Sequence, residues 1–91
     1  MDESVKILVE STPNPNSLKF SLNRIVVAQG SESYETPQEA EKSLFSKKLF
    51  AIAGVKSLFF MKNFITLGRE TNRRWEEIIP KMEEILREHF K

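Results

Sequence analysis

Residues Thr12 to Phe20 read TPNPNSLKF, two prolines alternating with two asparagines and leading directly into an apolar/polar alternation. Proline at 13 and 15 fixes φ there and turns Thr12 and Asn14 toward extended conformations. The segment is therefore a stiff polar loop fixed to the start of a sheet, and it loses less entropy on ordering than a Gly/Ser loop. Its asparagines can close Asx-turns or present amides outward. Two uses stay open. One is a plain connection between strands; the other is recognition, with Thr12, Asn14, Asn16 and Lys19 as candidate partner contacts.

Hydrophobic periodicity supplies the rest of the frame. Val5, Ile7 and Val9 alternate with Lys6 and Glu10, which predicts a strand with Leu8 on a partly covered second face, and Leu18, Phe20 and Leu22 alternate with Lys19, Ser21 and Asn23. Asn23-Arg24 is expected to turn the chain into Ile25–Ala28, making residues 18–28 a hairpin, with 29–35 as a surface loop. Thr36-Pro37-Gln38-Glu39 is a helix start with a capping box and proline at its first position. A second short helix is expected from Lys47 to Ala53, capped by Ser46 and ended at Gly54. Val55–Met61 is apolar on both faces and predicts a central, doubly covered strand. Lys62-Asn63 turns it into Phe64–Leu67. Thr71 or Asn72 is expected to cap a last helix, in which Trp75, Ile78, Ile79, Met82, Ile85, Leu86, His89 and Phe90 recur at three- and four-residue steps. Pro80 predicts a kink near Glu76-Glu77. The fold class is α+β: a two-layer domain over residues 1–91, with a mainly antiparallel sheet of about five strands in the order β-β-β-α-α-β-β-α. Helices lie on one face, and Trp75 is the largest anchor.

Composition narrows the chemistry. With 91 residues, 40% hydrophobic and 30% charged, the chain has the content of one ordinary soluble domain. It contains no cysteine and one histidine, so thiolate catalysis, disulfides and zinc sites of three or four His/Cys ligands are excluded. His89 is expected to contact free carbonyls at its helix end. Glu76-Glu77 and Glu83-Glu84 read as solvent face paired with Lys81 and Arg87. Ser43 and Ser46 have no partner base, and no glycine-rich phosphate loop exists. The chain is not expected to be an enzyme or to hold a metal or cofactor. No apolar run is long enough for a membrane helix, and the acidic start predicts no leader, so a cytoplasmic location without membrane contact is expected.

Net charge +1 hides a gradient: residues 1–46 carry seven acids and four bases, and residues 47–91 carry six acids and ten bases. Lys47-Lys48 and Arg73-Arg74 both fall at expected helix starts and form a candidate anion or phospho-ligand site. Phe59 and Phe60 point to opposite faces of one strand, so one of them could be exposed for stacking, although phenylalanines in so small a domain mostly fill the core. A pI near 8.0 falls short of a nucleic-acid footprint, and no nucleic-acid partner is expected.

TPNPNSLKF resembles the hallmark of the N-terminal domain of Nfu/NifU-type iron–sulfur scaffold proteins. The likeness continues in order through Leu49-Phe50-x-Ile52-x-Gly54-Val55, Phe64-Ile65-Thr66, Trp75-x-x-Ile78-x-Pro80 and His89-Phe90. The chain differs where that family often has Pro-Gly after the phenylalanine and Ser-Pro-Leu-Ala at the short helix; here stand Ser21–Arg24 and Ser46–Leu49. In full-length members a separate C-terminal domain carries the cluster-binding Cys-x-x-Cys. The resemblance implies a stand-alone, non-catalytic accessory module of cluster assembly, with assembly or carrier proteins as partners. It also implies an association with iron, which carboxylates alone would hold weakly.

Overall fold

The computed structural model describes residues 4–91. Strands β1 (Ile7–Ser11), β2 (Ser17–Leu22) and β3 (Val27–Tyr34) precede helices α1 (Pro37–Ala40) and α2 (Leu44–Phe50). Strands β4 (Val55–Lys62) and β5 (Phe64–Arg69) and helix α3 (Trp75–Phe90) follow. The five strands form one antiparallel sheet in the order β1-β2-β5-β4-β3, giving the expected α+β class.

Period-two patterning decides which face is covered. Phe20 and Leu22 of β2, Ile65 and Leu67 of β5, and Leu58 and Phe60 of β4 lie on one face and are buried. Against them α3 sets Ile78, Met82 and Leu86, four residues apart and fully buried. Burying each such side chain stabilises the fold by about 1.5–3 kcal/mol. Trp75 is only half-buried, at the end of the sheet, so these three residues and not the tryptophan are the central anchors. Helix α3 runs from Trp75 through Pro80 to Phe90, and the exposed proline leaves its lost bond on the wet side.

Several sequence expectations are corrected. Residues 18–28 are not a hairpin: β2 lies between β1 and β5, whereas β3 is the edge strand beyond β4. The Lys62-Asn63 turn separates them. It accepts from Leu22 N (2.8 Å) and Val26 N (2.6 Å), and Asn63 Nδ2 donates to the Leu22 carbonyl (3.0 Å). Lys62 takes φ 49°, the positive value that a tight hairpin turn requires. Residues 29–35 are mostly strand, because an edge strand exposed to water needs no apolar alternation. Gly30, at φ 72°, sits where the β3–β4 register shifts. Strand β4 is an interior strand paired to both β5 and β3, but it is not doubly covered, since its Phe59 lies on the open face.

Helix ends moved for local reasons. Thr36 caps α1 as expected, but Glu39 reaches the Glu35 amide (2.7 Å), one residue before the cap. Helix α2 is capped by Ser43, not Ser46. Ser46 is fully buried and donates to the Ala40 carbonyl at 2.6 Å, tying α2 to α1. Helix α3 begins after Arg74 with no side-chain cap, rather than at Thr71 or Asn72.

Tyr34, the only tyrosine, packs edge-on against Phe60 and donates to Glu32 Oε1 at 2.7 Å. Burial, then the Glu32 bond and charge, push its hydroxyl up to about 12. Because this exceeds the unfolded value of about 10, the contribution is whole below pH 10 and lost between pH 10 and 12. Ultraviolet titration of phenolate absorbance should give a midpoint near 12 in the folded chain and near 10 in urea; equal midpoints would refute the burial argument. Leu67→Ala, in the middle strand, should cost about 2–5 kcal/mol in urea unfolding.

Candidate functional site

The Thr12–Asn16 loop connects β1 to β2 and is held by its own polar groups. Thr12 Oγ1 donates to the Asn14 carbonyl (2.9 Å) and accepts from Asn14 N (3.1 Å). Asn14 Oδ1 accepts from Asn16 N at 2.9 Å, an Asx-turn, and Ser17 N closes back onto the Asn14 carbonyl at 3.0 Å. With the prolines fixing φ, the loop is rigid before anything meets it.

Arg69, at the end of β5, locks this loop to the rest of the molecule. Its backbone N donates to the Asn16 carbonyl (2.9 Å) and its Nε to Asn16 Oδ1 (3.3 Å). One terminal guanidinium nitrogen donates to the Arg73 carbonyl (2.8 Å) just before α3. The guanidinium also lies 4.9 Å from the Trp75 ring centre, and Trp75 Nε1 donates to the Pro15 carbonyl at 3.4 Å. Both asparagine Oδ1 atoms thus face N–H donors, which settles the amide orientations. The Nδ2 donors of Asn14 and Asn16 make no hydrogen bond among the described residues. Sequence reading singled out the asparagines but not Arg69. Its register opposite the loop is set by β2–β5 pairing, which no local pattern announces.

The other sequence candidates are dispersed. Lys19 belongs to a different surface: on the open face of the sheet its Nζ stands 4.5 Å from the Phe64 ring centre. Phe64 in turn lies 6.2 Å from Phe59. Lys47 and Lys48 occupy the last turn of α2, not its start, so they do not reinforce a helix N-terminus. Arg73 and Arg74 do precede α3. A Cβ on Gly54, at φ 100°, would meet the Arg73 stem at 2.8 Å, so that stem covers the glycine. Arg74 makes an exposed pair with Glu76 at 3.7 Å. His89 does not serve as a carbonyl contact but stacks on Phe45, with centroids 4.0 Å apart. Arg87 donates to the Val5 carbonyl at 2.6 Å instead of completing a solvent-face ion pair.

The residues fit a known family. The profile described as "Scaffold protein Nfu/NifU N terminal" matches residues 7–91. The chain is 44% identical over 64 residues to the mitochondrial NFU1 iron-sulfur cluster scaffold homolog of Homo sapiens, covering 70% of this chain and 25% of that protein. It is 36% identical over 89 residues to a NifU-like protein of Schizosaccharomyces pombe, covering 96% and 34%. The chain therefore spans only a quarter to a third of these relatives. Among solved structures, Staphylococcus aureus protein SAV1430 superposes with a TM-score of 0.77 at 27% identity, over 92% of this chain and 99% of that one. A NifU-like protein of Saccharomyces cerevisiae shares the fold, with a TM-score of 0.81 at 24% identity, over 93% and 77%.

An iron–sulfur cluster, the cargo in the human relative's name, finds no thiolate here, since the chain has no cysteine. Among the described residues, no three His, Asp or Glu side chains gather to hold a metal ion, and no helix is long and apolar enough to cross a membrane.

Because Arg69 joins loop, strand and helix, Arg69→Ala should loosen all three. Stability should fall by about 1–2 kcal/mol. Fluorescence of Trp75, the only tryptophan, should shift to longer wavelength. Arg69→Lys should restore little, since an ammonium cannot span the same bonds. An unshifted emission in Arg69→Ala would remove Arg69 from this role.

Proposed function

Because the chain belongs to the Nfu/NifU scaffold N-terminal family, we propose that residues 1–91 form one non-catalytic interaction module serving iron–sulfur cluster assembly or delivery. The module meets an assembly or carrier protein and leaves cluster ligation to cysteines elsewhere. The observation that carries this reading is the loop held by Arg69. It is stiffened by two prolines, its asparagine oxygens are used internally, and its Nδ2 donors are left over. Such a surface suits backbone carbonyls or carboxylates on a partner. The anion-binding alternative loses its geometric basis at Lys47-Lys48, which stand at a helix C-terminal turn.

Affinity capture from the source cells, comparing the wild-type chain with Asn14→Ala/Asn16→Ala, tests the proposal. Wild type should enrich cluster-assembly proteins, and the double variant should lose most of that enrichment while unfolding at nearly the same urea concentration. Equal enrichment by both, or none by wild type, would refute the loop's role.

A further inference from the structure

We infer that the trough between α2 and α3 is a second docking surface, built for a short amphipathic helix of a partner protein whose apolar stripe carries lysine or arginine along the edge facing α3. The inference rests on the interaction-module reading but uses none of the loop residues.

The trough encloses about 550 Å³. Phe45 forms its floor, with Leu44 and Lys48 on the α2 wall and Glu84, Ile85 and Glu88 on the α3 wall. Leu44, the first residue of α2, is 68% exposed, more than the other exposed large apolar side chains Ile25 (64%) and Leu8 (59%). None of the described residues covers it, and a first helical position needs no leucine. The floor is held in place beforehand. His89 stacks on Phe45, while Phe90 lies edge-on to it at 5.5 Å and Phe60 packs from beneath at 5.6 Å. A rigid aromatic floor with an uncovered leucine at the rim is what a helix-in-groove contact requires.

Charge selects the occupant. Glu84 and Glu88 stand one turn apart on the α3 wall, and Glu84 makes no ion pair among the described residues. Glu88 has only an exposed contact to Lys91 at 3.7 Å. A helix with cations on that edge meets both glutamates favourably, while its apolar stripe covers Leu44, Phe45 and Ile85.

The test is an NMR titration of the 15N-labelled chain with two synthetic 14-residue helical peptides. Both carry leucines at i, i+3, i+4 and i+7; one has lysines and the other glutamates along one flank. The lysine peptide should shift residues 44–48 and 84–89 and bind roughly five-fold more tightly than the glutamate peptide. Leu44→Glu, tolerated at a helix start, should weaken it about ten-fold. Glu84→Lys/Glu88→Lys should reverse the preference between peptides. Equal affinities, shifts centred on the open sheet face or on Thr12–Asn16, or self-association through the trough without peptide would each overturn the inference. Failure of the asparagine capture experiment leaves this outcome unaffected, since neither peptide is a cluster-assembly protein.

Discussion

Everything in this molecule depends on covering one face of a five-stranded sheet with one long helix. Ile78, Met82 and Leu86 are the seam, and Phe20, Ile65, Leu67 and Leu58 are the surface they close. Helices of four and seven residues, such as α1 and α2, have little stability of their own. They persist because Ala40, Leu49 and Ser46 are buried against the same layer, with the Ser46 hydroxyl linking one short helix to the other. The opposite face stays open and is patterned accordingly, with Lys19, Thr66 and Ser21 set among Phe59, Met61 and Phe64.

Arginines join the ends of this arrangement. Arg69 ties β5 to the loop and to the entry of α3. Arg87 reaches the Val5 carbonyl, and Arg24 Nε donates to the Phe90 carbonyl in the last turn of α3 at 3.2 Å. Each uses the fixed fork of a guanidinium to satisfy carbonyls that strand and helix ends leave over. These three arginines therefore act largely through charge-assisted hydrogen bonds to backbone carbonyls.

Functionally, the consequence is a division of surfaces. The asparagine loop lies at one end of the sheet beside the start of α3, and the trough lies on the helical layer near its end. On the proposed reading, these two separate faces would let one small module bring two partners together. That arrangement suits a family described as scaffold proteins, in a chain with no cysteine to ligate a cluster.

Much of this was legible in the residues. Alternation at 18–22, the box at Thr36–Glu39 and the three-and-four spacing after Trp75 are local patterns, and each element formed where its pattern lies. The extension of β3 through residues 29–34 carries no local signal because an edge strand can be largely polar, and the cap of α2 lies at Ser43 rather than Ser46 because the two serines are equivalent until one is buried. The sequence by itself therefore determined the order and type of the elements, the rigid loop and the absence of thiolate chemistry in this chain. Only the tertiary structure decided that β5 and β4 separate β2 from β3, and that Arg69 meets Asn16, 53 residues away. Periodicity is a property of neighbouring residues, whereas strand order and side-chain meetings across the sheet are set by which apolar faces close over one another.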